Sequence, residues 1–259
     1  MKIIFTTFFK EIGRGDWGHF NRSTDLYVGR FKKLAEKIQY DFVVYLEPEI
    51  IDQLSKELGD KPNIFLKDIN KADSTYADFL AKDETIIASE SYQSKIPNHR
   101  KENPEHRFPK YNSIMNSKIS FLKNTYDMFK DYDFYAWIDF GILQGDDSSD
   151  FPLIPDNLDL ENLPFGVTYG AQIIPTTRNS FEDMLASDDI YFDGSSFVVY
   201  RGVLFRFYDA WKLKVDEMHT QLITDDDQNV VLQVYYDHPN IFNIIKCDWF
   251  HLYHCLRNE

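Results

Sequence analysis

Tyr132–Gly141 reads YDFYAWIDFG, and the fold turns on this stretch. It opens polar and becomes the apolar run Phe134, Tyr135, Ala136, Trp137, Ile138. The run is short for a helix and has the aromatic composition of a buried strand. It ends on Asp139, followed by Phe140 and Gly141. A carboxylate at the C-terminal end of a buried strand stands where open α/β sheets bind ligands. Gly141 permits a sharp turn or a close backbone approach. The competing reading is a plain turn cap after a core strand.

The flanking sequence supports a strand–helix alternation. On the N-terminal side, residues 2–9 read as a strand, followed by the glycine- and charge-rich loop IGRGDWGHFNRSTD. A helix is predicted from about Thr24 to Gln39, with Tyr27, Phe31, Leu34, Ala35 and Ile38 on one face. DFVVYL, Asp41–Leu46, is a second strand; Pro48 opens a helix that Gly59 closes. Asn63–Leu66 is a short third strand, and Ser74 is placed to cap a helix carrying Tyr76, Phe79 and Leu80. Residues 92–109 hold prolines, histidines and charges and read as a long loop, then a helix from about Lys110 to Lys130 leads into the central strand. This pattern implies a mostly parallel sheet.

Beyond Gly141, the acidic GDDSSDFP reads as a turn, LPFGVTYGAQI as a strand with a glycine break, and 175–189 as a mobile polar stretch. YFDGSSFVVYR, Tyr191–Arg201, is a strand pair or a strand entered through a glycine turn at Gly194, followed by a helix over about Val203 to Gln221. Thr224 is placed to cap a further helix with Asp225, Asp226 and Asp227 in its first turn, where acids suit the helix dipole. IFNII and the tail KCDWFHLYHCLRNE complete the chain. No linker interrupts it. The expectation is one α/β domain, a mostly parallel central sheet flanked by helices, divided functionally at Gly141 into halves 1–141 and 142–259.

With 259 residues, 43% hydrophobic and 16% aromatic, the chain can bury a large aromatic core. Its net charge of −14 argues against non-specific binding to nucleic acid or anionic membrane. Cys247 and Cys255 form neither a disulfide framework nor a zinc pattern, which points to reduced thiols in the cytoplasm. IIFTTFF near the N-terminus reads as a core strand rather than a signal peptide. No stretch approaches the roughly 20 apolar residues of a membrane span.

Two familiar motifs fail on context. Gly13-Arg14-Gly15-Asp16-Trp17-Gly18 matches the dinucleotide fingerprint, which would make the chain a nicotinamide-dependent oxidoreductase. But its glycines lie beyond the strand end, and no apolar helix follows at once. Asp139-Phe140-Gly141 spells the kinase metal motif, without the lysine strand or catalytic loop of a kinase.

A third pattern holds together: Asp139 after the aromatic strand, Asp193-Gly194 opening a later strand, Asp227-Gln228 at a helix start, and His251 and His254 in the tail. This order resembles nucleotide-sugar transferases of the GT-A fold. The blocks FFKEIGRGDW, KYNSIMNSKISFL, YAWIDFG, FDGSSFVVYRG and TDDDQNVVLQVYYDHPNIF further resemble the HtrL/YibB family, glycosyltransferase-like proteins of bacterial surface-polysaccharide loci.

The resemblance implies a nucleotide-sugar donor, UDP-linked, and a lipopolysaccharide, lipooligosaccharide or capsule acceptor. It implies a cytoplasmic protein, peripheral at the inner membrane through its acceptor. It also implies Mn²⁺ or Mg²⁺ held on Asp139 with His251 and His254, since a diphosphate leaving group needs its charge neutralised. Donor contacts fall to Thr6 and Thr7 at the first strand end, and to Arg14, Lys118, Trp137, Gly141, Gly194 and Ser195. Asp193, Gly194, Asp227 and Gln228 surround the transferred sugar, and 92–109 with 175–189 admit the acceptor. One departure matters: Gly141 stands where the usual D-x-D motif has its second acid. Either Asp139 holds metal with help from elsewhere, or the site works without metal; Asp146 and Asp147 are near in sequence but read as a solvated turn. A protein of the same fold that binds nucleotide-sugar or glycan without turnover is the rival reading.

Overall fold

The computed structural model describes residues 1–72, 75–142 and 154–258; Ser74, Asp146 and Asp147 lie outside them. The strands are β1 (Ile3–Phe8), β2 (Asp41–Leu46), β3 (Ile64–Asp68), β4 (Phe134–Ile138), β5 (Val167–Ala171), β6 (Phe192–Tyr200) and β7 (Phe242–Lys246). They form one seven-stranded sheet in the order β3-β2-β1-β4-β6-β5-β7. β1 pairs in parallel with β2 and β4, β2 with β3, and β5 with β7. β6 runs antiparallel to both β4 and β5. The sheet is mixed: β3, β2, β1 and β4 run parallel, β6 is reversed, and β5 and β7 form a second parallel pair.

Helices cover both faces. They are α1 (Thr24–Lys37), α2 (Pro48–Leu58), α3 (Tyr76–Ile87), α4 (Glu90–Lys95), α5 (Pro104–Arg107), α6 (Pro109–Met115) and α7 (Lys118–Met128). In the second half come α8 (Phe181–Ala186), α9 (Leu204–Thr220), α10 (Asp227–Asp237) and α11 (Leu252–Cys255). β1 and β4 are buried along their whole length, so they show no polar alternation; both faces are apolar because both are covered. Tyr135 and Trp137 join Phe8 under α7, α9 and α10, while Phe134 and Ala136 join Phe5 under α1, α2 and α11. No described helix is long and apolar enough to cross a membrane.

The topology places the site. From β1 the chain runs outward to β2 and β3, then returns to lay β4 on the other side of β1. The connections diverge there, leaving a crevice beyond the carboxyl ends of β1 and β4. In register, Thr6 lies beside Trp137, so Phe8 and Asp139 emerge together at that edge.

Three expectations change. The helix predicted over 110–130 is two helices, broken at Asn116-Ser117, where the Ser117 hydroxyl donates to the Ser113 carbonyl at 2.7 Å. The break makes Lys118 the first residue of α7. The stretch 92–109 is not an open loop: it holds parts of α4 and α6 and all of α5, and buries Tyr92, Arg100 and His106. Nor is 175–189 unstructured: Ser180 and Asp183 form a capping box on α8. Arg100 fastens the two together by donating to the carbonyls of Met184 and Leu185 at 3.1 and 3.2 Å, and to that of Ser187. Hydrogen bonding across long sequence separation orders what composition alone reads as loop.

Candidate active site

A cavity of about 230 Å³ opens at the switch point. Phe8, Phe9 and Arg14 line it from β1 and the segment after it, Trp137, Asp139 and Gly141 from the end of β4, and Gly194 and Ser195 from β6. Lys118 lines it from α7, Asp227 and Gln228 from the start of α10, and Trp249 and Phe250 from the tail. Residues distant in the chain thus meet because their strands are neighbours in the sheet.

The centre is a lysine between two acids. Lys118 Nζ is 3.1 Å from Asp139 Oδ1 and 2.8 Å from Asp227 Oδ2, and donates to the Gly194 carbonyl at 2.8 Å. An ammonium has three N–H donors, and all three are used. Only 2% of the lysine is exposed. Burial by itself would push its pKa down, but the two carboxylates outweigh burial and hold it above the usual lysine range. Burial drives Asp227 the other way, up to about 6 against the pull of Lys118. Asp139 also accepts from Trp137 Nε1 at 2.8 Å and remains a third exposed, so the tryptophan orients the acid two residues on.

The glycines here are dictated by close approach. A Cβ on Gly194 would lie 2.8 Å from Asp227 Oδ2, so only glycine lets that carboxylate reach the β6 backbone. A Cβ on Gly141 would lie 2.3 Å from two ring carbons of Tyr27. The tyrosine ring of α1 fills the space that a second acid of D-x-D would need.

Positive charge enters from the segment after β1. The Arg14 guanidinium packs 5.7, 6.0 and 5.6 Å from the rings of Trp17, Tyr27 and Tyr111, and its Nε donates to the Phe20 carbonyl at 3.3 Å. Arg22 lines the same wall, and its amide donates to the Arg14 carbonyl at 3.2 Å. Both are half-buried, and neither makes an ion pair with another described residue. The G-x-G-x-x-G segment runs through two short 3-10 turns, Arg14–Asp16 and Gly18–Phe20, and α1 begins only at Thr24. No helix N-terminus meets those glycines, so the dinucleotide geometry is absent from this segment.

A polar network behind the site sets the start of α10. Buried Asp83 accepts from Ser113 at 2.6 Å and Thr224 at 2.5 Å, and lies 2.9 Å from His219 Nε2. Asn112 donates to the Thr224 hydroxyl, Tyr92 to its carbonyl, and Asn116 to the Asp225 carbonyl. With Thr224 spent inward, the N-cap is Asp226, whose side chain accepts from the Gln228 amide at 3.1 Å. Asp225 is buried, and burial with the nearby Glu105 charge lifts its pKa to about 7. Asp226 is also raised, by burial and by its two acidic neighbours.

Other expected site residues are placed elsewhere. Thr6 is buried and donates to Thr125 at 3.0 Å, and Thr7 is buried beside it; neither lines the cavity. Asp193 is turned inward and accepts from the amides of Ser195 and Phe250 at 2.9 and 2.8 Å, so it fixes the tail rather than facing a sugar. Among the described residues neither 92–109 nor 175–189 lines the cavity. His251 and His254 stand together, ring centroids 6.0 Å apart, outside the lining, with His254 near Arg257. Among the described residues no three His, Cys, Asp or Glu side chains come together as a metal site. The carboxylates that do converge enclose an ammonium, so these residues do not fit a divalent ion.

Sequence reasoning missed Arg22, Tyr27, Tyr111, Trp249 and Phe250 on the cavity wall, and Asp83, Asn112 and Asn116 behind it. Asn112 and Asn116 did carry a signal, since four-residue spacing puts both on one helix face.

The family model described as "Bacterial protein of unknown function (HtrL_YibB)" matches residues 1–258. The chain belongs to the HtrL/YibB family. Among HtrL/YibB relatives, Protein HtrL of Escherichia coli (strain K12) is 26% identical over 277 aligned positions, covering 99% of this chain and 92% of that one. Two solved structures are similar at a TM-score of 0.42. PaToxG glycosyltransferase is 11% identical, covering 92% of this chain and 69% of its own. Mouse xyloside xylosyltransferase 1 in its apo form is 12% identical, covering 100% and 94%. At that similarity they decide neither the ligand nor the chemistry of this HtrL/YibB chain.

Proposed function

We propose that this protein is a glycosyltransferase moving a sugar from a nucleotide-diphosphate donor to a glycan or glycolipid acceptor. One observation carries the reading. At the switch point of the sheet, a single cavity joins two arginines without ion pairs among the described residues to two carboxylates braced on a buried lysine. In a chain of net charge −14, arginines left for a ligand point to an anion, and guanidinium forks suit a diphosphate. Ionised carboxylates only accept hydrogen bonds, which suits sugar hydroxyls. The rings of Tyr27 and Tyr111 offer faces for a base or a sugar.

In the transfer, the bond from the anomeric carbon to the diphosphate oxygen breaks and one to the acceptor oxygen forms. Asp227 takes the acceptor proton. Its pKa near 6 leaves it ionised at neutral pH yet basic enough to help. Gln228 contacts the sugar, Asp139 orients it, and Arg14 with Arg22 receive the leaving diphosphate. Residues 1–141 form the nucleotide-binding half and 142–259 the sugar and acceptor half. A UDP-linked donor and a lipopolysaccharide, lipooligosaccharide or capsule acceptor, met by a cytoplasmic protein at the inner membrane, complete the proposal.

The test is a panel of nucleotide-sugars, following nucleoside diphosphate release with and without glycan acceptor. Asp227→Asn and Gln228→Ala are expected to lower transfer more than they lower nucleotide affinity. If transfer falls only as far as affinity or melting temperature, both residues are structural. Tight nucleotide binding with no release from any donor favours the rival, a binding protein; Gly141 in place of the second acid is the feature that supports it.

A further inference from the structure

We propose that the cavity holds its anionic ligand without a divalent cation, because Lys118 permanently occupies the position between Asp139 and Asp227. The ligand-anion part of this rests on the donor reading above; the cation part does not.

Two independent features close the position to metal. The first is the ammonium. It sits 3.1 and 2.8 Å from the two carboxylates, and the Gly194 carbonyl takes its third N–H at 2.8 Å. Its side chain is 2% exposed, so it has no solvated position to swing to without leaving two acids facing each other. A divalent ion bound by these carboxylates would have to displace a cation that already neutralises one of their two charges. The second is steric. The place for another acid, two residues after Asp139, belongs to the Tyr27 ring, 2.3 Å from where a Cβ on Gly141 would be. Tyr27 also packs on Arg14 at 6.0 Å. The same ring that excludes the acid therefore positions a guanidinium.

This divides the work among the cations. Lys118 has spent its three donors and serves the carboxylates, holding both at fixed places in the cleft. Among the described cations on the cavity wall, Lys10 pairs with Glu47 at 3.6 Å, which leaves Arg14 and Arg22 to face a diphosphate. Their planar forks can bond two oxygens at once, which a saturated lysine cannot do.

The position can be reopened. Lys118→Ala leaves Asp139 and Asp227 as two carboxylates across an emptied volume, a hard-oxygen pair suited to Mn²⁺. The experiment titrates MnCl₂ alone against wild-type protein, Lys118→Ala, and Lys118→Ala combined with Asp139→Asn, reading melting temperature and Mn²⁺ electron paramagnetic resonance. The wild type is expected to show no saturable Mn²⁺ binding. Lys118→Ala is expected to gain binding and a Mn²⁺-dependent rise in melting temperature, and the double variant to lose it. Saturable Mn²⁺ binding by the wild type that Asp139→Asn abolishes would overturn the proposal. That comparison stands even if the Lys118 variants do not fold.

A second arm measures binding of UDP, GDP, CDP and ADP in EDTA and in MnCl₂. Equal affinity in both, lost on Arg14→Ala, supports the proposal, and binding that requires MnCl₂ overturns it. If none binds in either buffer, the donor reading fails and so does the ligand part here, while the Mn²⁺ titration still decides what Lys118 does.

Discussion

Replacing Lys118 by Met keeps most of the side-chain volume and removes the charge. In the native protein that charge is bonded to Asp139, Asp227 and the Gly194 carbonyl. Asp227 is 4% exposed, so the variant leaves a buried carboxylate without its cation, while Asp139 keeps its bond from Trp137 and its partial exposure. Removing one partner of a buried ion pair costs about 3–5 kcal/mol, far more than a surface pair is worth. For a domain of this size each kcal/mol shifts the melting temperature by about 2–4 °C, so a loss of roughly 6–20 °C is expected. The loss carries a pH signature. Asp227 is already lifted to about 6 by burial, and losing Lys118 lifts it further. A carboxylate whose folded pKa lies above its unfolded value stabilises the native state at low pH, and loses that stabilisation as pH rises through the folded pKa. The gap between wild type and Lys118→Met should therefore be small at pH 5 and widen towards pH 8. Urea unfolding at pH 5, 6, 7 and 8 on both proteins measures it. A gap under about 1 kcal/mol at every pH would refute the claim that Lys118 pays the desolvation of Asp227.

Two other predictions follow from the same geometry. Gly141→Ala sets a methyl 2.3 Å from the Tyr27 ring and should cost about 1–3 kcal/mol by overpacking, with Tyr27→Ala in the same chain restoring much of the loss; a tolerated Gly141→Ala by thermal melt would mean that the ring yields freely. Asp225, lifted to about 7 by burial and Glu105, binds its proton more tightly folded than unfolded, so its contribution to stability falls as pH rises from about 4 to about 7; Asp225→Asn should flatten that slope, and an unchanged slope in denaturant titrations across the window would locate the titration elsewhere.

Much of the chain's plan was legible locally. YAWIDFG read as a buried strand ending in a carboxylate because a central parallel strand is apolar on both faces, and β4 is buried throughout with Asp139 at the cavity. Pro48, Gly59 and the DDDQ run marked helix ends because caps depend on residues adjacent in sequence. The blocks quoted for the family likewise span the chain, and the whole chain proved to belong to it.

What sequence alone could not supply were outcomes set by distant partners. Asp193 and Asp139 look alike as strand-end acids, yet one is captured by the Ser195 and Phe250 amides while the other faces the cleft. Thr224 looks like a cap until Asp83, 141 residues away, takes its hydroxyl and leaves the cap to Asp226. The stretch 92–109 looks like a loop because the carbonyls that hold Arg100 belong to 184–187. In the sequence Lys118 stood as a donor contact. It became the cation between two acids only when the break at Asn116-Ser117 turned it inward and the sheet laid β6 beside β4. Periodicity and caps act within a few residues and so are written in the order of the chain. Charge pairing and desolvation act through space, and only the packed sheet decides which groups share that space.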